Sequence, residues 1–434
     1  MTGSLFGSAD RAWLGWRLLL LGLAIWSVLS LARTVLRIQG PIGATDFHSY
    51  WYYGHFLWQE QDPYLAFARG EQLALPIQYA DGVTVERQPV AQPELATTPA
   101  NTAPLLLLLS TLSVFSWPVA KTAWLILNVL LIVVIPWLVL GLLPQPKALP
   151  PHIQWLVALL FYSLKLPRAV AWLGQTSLLI LTFMLLTLLL RNRTMWLAGL
   201  LFGLALSKYS LSFPVLILLL FTRHFGIVII GLLTQAAGLL LVSFIGHSSI
   251  LDIARVYVNM VTLHADYPGI HIAYQLGDDS LIGMSIVVGG TLLVGWFLWQ
   301  WWRRHQVIRQ IDLLPLLTVL SLWTLLAAYH RNYDSILVVF FVTLSIAAQS
   351  TWLLSRGEAL FLATFLVVSL LVINAPGELI TPFLPTHLSR LWDPTLEKLL
   401  TATLVAMLAI SVWLLFRIPR DDEHGEGREA HGSA

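Results

Sequence analysis

GLLFGLALSKYSLSFPVLILLLF, residues 199–221, is an apolar stretch with a lysine in its middle. A charge is costly where a chain crosses hydrocarbon, and ionisable groups at such positions face interior cavities and serve sites. Snorkelling of Lys208 to an interface is the rival account. The whole apolar segment, 195–221, is longer than the roughly 20 residues of one span. It is broken at Ser207-Lys208-Tyr209-Ser210, with Pro214 following. The segment therefore reads as a hairpin of two short helices with Lys208 near its turn.

Similar apolar runs recur outward from this stretch, the clearest at 14–32, 102–116, 119–142, 175–190, 225–246, 281–302, 313–329, 335–354, 359–374 and 398–416. A further run, 153–174, is interrupted by Lys165, Pro167 and Arg168 and reads as a pair of short helices. The 434-residue chain is 57% hydrophobic and 11% charged, against about 25% charged in soluble domains. Much of it must use the bilayer as solvent. The expectation is an all-α polytopic integral membrane protein with about 11–14 membrane segments, half-helices included. One transmembrane domain over 1–418 and a disordered cytoplasmic tail over 419–434 are expected. The first helix is long enough to be retained rather than cleaved as a signal peptide.

The balance of charge excludes several function classes. A net charge of +2 argues against nucleic acid as a partner. The chain has no cysteine, so thiolate metal sites and thiol catalysis are excluded. No phosphate-binding glycine loop, dinucleotide fingerprint or nucleophile elbow occurs, which argues against soluble nucleotides. Asp278 with Asp279, and His264 near Asp266, are poor chelates without further ligands. No metal and no cofactor is expected.

Basic residues cluster at Arg11 and Arg17, Arg191 and Arg193, Arg223, Arg303 with Arg304 and Arg309, Arg356, and Arg417 with Arg420. With all of these cytoplasmic, both termini lie inside. Loops 33–101, 247–280, 330–334 and 375–397 then lie outside. Lys165 and Arg168 fit either face.

The first outer loop holds TDFHSYWYYGHFLWQEQDPYL, residues 45–65. Aromatic and apolar residues at helical spacing over 47–60 predict a helix in the membrane interface. Asp62-Pro63 starts a second helix over 63–75. Residues 76–101 are polar and rich in proline and turn residues, as in an outer lid. Asp46 is a lone carboxylate beside this aromatic helix. A carboxylate within hydrogen-bond reach can take the proton of an attacking hydroxyl. The competing role is an N-cap, with Thr45 or Asp46 satisfying orphan amides. In HRNYD, residues 330–334, cations and donors at an outer turn can bind a phosphate, with Asp334 orienting His330. A plain polar loop is the alternative. Gln175 in WLGQTS carries an amide suited to a sugar hydroxyl or a phosphate oxygen.

Read in order, these pieces resemble the GT-C fold membrane glycosyltransferases of family 87, polyprenyl-phosphate-mannose-dependent mannosyltransferases of the bacterial cell envelope. The resemblance rests on DFHSYWYYG (46–54), QDPY (61–64) and TPANTAPLLLLLSTLSVFSWPVAKTAWLILN (98–128). It continues through GQTSLLIL (174–181), AGLLFGLALSKYSLSFPVLILLLFTRHF (198–225), DSLIG (279–283) and HRNYD. Residues 66–98 are longer and more polar than that family's pattern, and TPANTAP stands where a tyrosine-proline-proline entry is expected. The resemblance implies an inverting hexosyltransferase of the plasma membrane, with mannose the leading sugar and the active site extracytoplasmic. It implies a polyprenyl-phosphate donor and a lipid-linked or glycan acceptor. Asp46 becomes the catalytic base. Lys208, His330 and Arg331 become ligands of the donor phosphate. His48, Tyr50, Tyr64, Gln175, Tyr333 and Asp334 become substrate-binding residues. A flippase of lipid-linked sugars, or a polymerase or ligase of polyprenyl-diphosphate glycans, would use similar features. A flippase, however, is commonly built from two related halves, and no such repeat is present in the sequence.

Overall fold

The computed structural model describes residues 8–40, 43–71, 77–78, 84–85, 102–144, 149–265, 272–275, 281–305, 307–328, 332–351, 354–374 and 386–418. Among them the chain is helical apart from one two-residue strand pair, with Ile77 opposite Val85. Among the described residues nine helical segments, with 195–221 counted as one, are long and apolar enough to cross a membrane. Pro151–Ser163 and Lys165–Leu173 form a further pair bent by 47°. Two shorter apolar helices, Ala103–Val114 and Ser177–Leu190, complete the set. The protein is an all-α polytopic membrane protein, as the apolar runs require, since helices satisfy their own backbone in lipid. The tail 419–434, most of loop 76–101, and the Asp266, Asp278 and Asp279 positions lie outside the described residues. So does the side chain of His264.

The chain divides into two compact units, one of residues 1–140, 150–268 and 333–336, the other of 141–149, 269–332 and 337–434. The second unit gathers its basic residues near helix ends. Arg417 pairs with Glu358 at 2.5 Å, and Arg304 lies over the ring of Phe416.

The first unit carries the elements of the site. Helix α1 (Ser8–Gln39) leads to α2 (Thr45–Trp58) and the one-and-a-half-turn α3 (Pro63–Ala68). Helix α3 is shorter than the expected 63–75. Helix α4 (Ala103–Ser110) precedes α5 (Trp117–Leu140), and α6 (Pro151–Ser163) and α7 (Lys165–Leu173) are the bent pair. Helix α8 (Ser177–Leu190) returns to the arginine-rich end.

Helices α9 (Met195–Ala205) and α10 (Tyr209–Phe221) are joined by a 3-10 turn over Leu206–Lys208. Their helical backbone is nearly continuous, yet the segment folds back. His224 lies 2.8 Å from Asn192 in a side-chain hydrogen bond, so both ends of 195–221 share one level. Helix α11 (Phe225–Ile245) runs parallel to α9 in matched register. A Cβ at Gly226 would meet Met195, one at Gly199 would meet Ile230, and one at Gly203 would meet Thr234. The break at Lys208 is thus the tip of a hairpin. Helix α9 is 11 residues long, which puts the tip roughly 16 Å from its start.

Helix α11 continues past the tip to the level of α3. The Asp62 carboxylate accepts from the amides of Tyr64 and Leu65, at 2.8 and 3.1 Å, and from the Ser248 hydroxyl. It is an N-cap, and it ties α3 to the chain just beyond α11.

Glycines let α9 and α11 approach closely, the small-residue packing typical of membrane helices. A Cβ at Gly203 would stand 2.4 Å from Thr234 Cβ and 2.9 Å from the Gly231 oxygen. At Gly15, by contrast, nothing lies within 4 Å. Gly203→Leu should cost about 1–3 kcal/mol through overpacking and lower the thermal unfolding midpoint in detergent by several degrees. Gly15→Leu should leave it in place. Equal midpoints for the two variants would refute the close α9–α11 packing.

Candidate functional site

Helix α2 begins without a side-chain cap. Its N-cap is Ala44, in the left-handed region at φ 61°, whose amide donates to the Trp172 oxygen at 2.8 Å. The capping role weighed for Thr45 or Asp46 is therefore not the one observed. Asp46 sits in the first turn, where a negative charge suits the helix dipole, with its carboxylate half-buried. Gln175 Nε2 donates to Asp46 Oδ2.

The next residue fixes α2 in place. Phe47 is fully buried and stacks on Trp124 with ring centroids 4.6 Å apart and planes within 4°. Burying such a ring contributes about 1.5–3 kcal/mol. On the other side, Phe47 and Ala44 press on Gly174, which adopts φ +75° and has no room for a Cβ. That glycine ends α7 and opens the turn Gly174–Ser177, which leads into α8.

The same turn holds a second polar group. Lys208 Nζ donates to Ser177 Oγ at 2.8 Å and to Asp334 Oδ1 at 2.5 Å, and Ser177 Oγ donates to that same carboxylate oxygen at 2.9 Å. Asp334 comes from the 3-10 turn Asn332–Leu337. The ring of Tyr333 lies 5.3 Å from Lys208 Nζ. Behind the lysine, Ser207 accepts from Thr102 at 2.9 Å and from Gln235 at 3.3 Å, and Gln235 also donates to the Gly203 carbonyl at 2.6 Å. The helix break at the tip is thereby satisfied by side chains from α11 and from the residue before α4.

Phenols border these two groups. Burial pushes the Tyr50 hydroxyl far up its range; the Asp46, Tyr257 and Asp334 charges add to this and the Thr176 hydroxyl opposes it. Burial likewise raises Tyr64, with Tyr257, Asp62 and Tyr50 adding. Tyr257, from α12 (Ile250–Ala265), is raised by burial and then by Tyr209. The rings of Tyr64 and Tyr257 meet edge to face at 6.3 Å.

The structure therefore brings Asp46, Tyr50, Gln175, Lys208, Tyr333 and Asp334 to one region, with Tyr64 at its border. His48 is not among them. It lies two residues from Asp46, about 200° around a helix, and packs edge-on against Trp117 at 4.8 Å. His330 and Arg331 lie outside the described residues. Sequence reading missed Ser177, Gln235 and Tyr257, and only Ser177 had a visible signal, its place two residues after Gln175 in an already quoted motif. Among the described residues no three His, Asp or Glu side chains converge as metal ligands.

The model of glycosyltransferase family 87 matches residues 101–312. The matched stretch includes Gln175, Ser177, Lys208, Gln235 and Tyr257; Asp46 precedes it and Asp334 follows it. No curated protein and no solved structure gives a significant match. The resemblance drawn from the motifs is thus shown over 101–312, and it supports a glycosyltransferase acting on a sugar donor and an acceptor at a membrane.

Raised phenols bind their protons more tightly folded than unfolded. Their contribution to stability is fully present below the ordinary tyrosine value, about pH 10, and is lost as pH rises above it. An alkaline titration of phenolate absorbance should show an early step from exposed tyrosines and a late one. Tyr50→Phe with Tyr257→Phe should shrink the late step alone. Loss from the early step would place these phenols in water.

Proposed function

We propose that this protein is an inverting glycosyltransferase that moves a sugar, mannose in the first instance, from a polyprenyl-phosphate donor to a lipid-linked or glycan acceptor. The observation that carries the reading is the double use of one turn. Gln175 holds the Asp46 carboxylate, and Ser177, two residues on, holds the Lys208 ammonium. The Cα atoms of such residues are no more than about 7 Å apart. A carboxylate and a cation are thus both held from one short turn, an arrangement that suits a base and a phosphate ligand on either side of a sugar.

In this scheme the acceptor hydroxyl donates its proton to Asp46 as its oxygen attacks the anomeric carbon. The bond from that carbon to the phosphate oxygen breaks, and the phosphate leaves with the electron pair. Gln175 fixes the orientation of the base. Lys208 meets the charge that grows on the leaving phosphate, where electrostatic stabilisation acts most strongly; His330 and Arg331 are assigned to the same phosphate. Attack opposite the leaving group inverts the anomeric centre. Tyr50, Tyr64, Tyr333 and Asp334 border the sugar. His48 supports α2 from behind rather than touching substrate.

The site is assigned to the extracytoplasmic face. In the first unit Arg191, Arg193 and Arg223 lie at one end of α8 and of the hairpin, and the Asp46 group lies at the other. Basic residues mark the cytoplasmic side of membrane proteins.

Asp46→Asn keeps the shape and removes the base. It should lower kcat by about 10²- to 10⁴-fold, with the donor KM little changed, in transfer assays using a polyprenyl-phosphate sugar and the purified protein. Unchanged transfer would remove Asp46 from the chemistry. Movement of intact lipid-linked sugar across vesicles without bond cleavage would favour a flippase instead.

A further inference from the structure

Lys208 is held by protein groups alone. Its ammonium, the Asp334 carboxylate and the Ser177 hydroxyl close a triangle of hydrogen bonds at 2.5, 2.8 and 2.9 Å. The side chains of Lys208 and Asp334 are only 17% and 6% exposed. A cation this deep requires an anion, because removing one partner of a buried pair leaves an uncompensated charge. A phosphate is an anion of the same sign as Asp334. Two anions on one buried ammonium repel at short range, so a phosphate reaches Lys208 only as the carboxylate gives way. Asp334 is placed to do so. It sits on a 3-10 turn, whose hydrogen bonds are poorer than those of an α-helix. Ser177, able to donate or to accept, can remain with the lysine.

We propose that Asp334 is the resident counter-ion of the donor-phosphate site. It occupies Lys208 while the site is empty, is displaced by the phosphate of the incoming donor, and returns as polyprenyl phosphate leaves. The assignment rests on the reading of Lys208 given above. It changes Asp334 from a group that binds substrate to one that competes with it. The carboxylate then serves two ends: it keeps the lysine charged in an empty membrane site, and it helps expel a product that carries the same phosphate.

The test is binding of a short-chain polyprenyl phosphate to the purified full-length protein, with the uncharged polyprenol as control. Asp334→Asn should bind the phosphate at least about tenfold more tightly than wild type, a fraction of what one close charge contact near a protein surface supplies. The polyprenol should bind both equally. Asp334→Ser gives the same readout should the amide variant fail to fold. Lys208→Met should weaken phosphate binding, and adding Asp334→Asn to it should restore nothing. In turnover, Asp334→Asn should lower the donor KM and strengthen inhibition by polyprenyl phosphate. Equal or weaker phosphate binding by both Asp334 variants, with Lys208→Met still weakened, would overturn the counter-ion and leave the function of Lys208 standing. Wild-type affinity in Lys208→Met would overturn the phosphate role of Lys208 and the counter-ion with it.

Discussion

A charged ammonium inside a membrane protein has to be answered, and much of the first unit is arranged around that demand. The hairpin breaks at Lys208, leaving backbone groups without helical partners. Gln235 from α11 takes the Gly203 carbonyl, and Ser207 bridges to Thr102 and Gln235. The charge itself goes to Asp334 and Ser177. Polar residues on four separate segments are thereby committed to the hairpin tip. Buried ion pairs seldom add stability over a well-packed apolar replacement. Such an investment is better explained by what the cation does than by what it holds together.

The carboxylate side of the site uses a different material. Asp46 is carried by an aromatic helix wedged between Trp124 and Gly174. Ring packing fixes α2 in rotation, and rotation decides which residues of DFHSYWYYG look toward Gln175. Tyr50, one turn on, senses both Asp46 and Asp334. His48 is turned into the Trp117 stack. Groups held on rigid helices keep their geometry better than groups on loops, which suits the role proposed for Asp46.

The architecture was legible because lipid leaves the backbone little choice. The apolar runs marked the helices closely, and the lysine within 199–221 marked the hairpin and its tip. The site was legible in part. Asp46, Gln175 and Lys208 stood out as polar residues in apolar or aromatic surroundings, a local signal. Their pairings are not local: Gln175 meets Asp46 across 129 positions and Lys208 meets Asp334 across 126. Nothing in either neighbourhood names the partner. Gln235 and Tyr257 look like ordinary polar and aromatic residues of membrane helices, and only packing gives them a place. The capping alternative for Asp46 failed for a reason no local pattern carries, since Ala44 reaches the Trp172 carbonyl through its backbone.

The two halves of the site meet at Gly174. At φ +75° any other residue would be strained, and a Cβ there would stand 2.8 Å from Phe47 Cβ and 2.9 Å from Ala44 Cα. A side chain at 174 would therefore push α2 away from the turn. That displacement is selective. Asp46 travels with α2 and would part from Gln175, whereas Lys208 and Ser177 lie on α8 and the hairpin tip and would keep their bond. The place of the carboxylate relative to the turn thus depends on how closely one glycine lets a helix start approach it. The space proposed for the sugar is bounded in part by this one contact between helix start and turn.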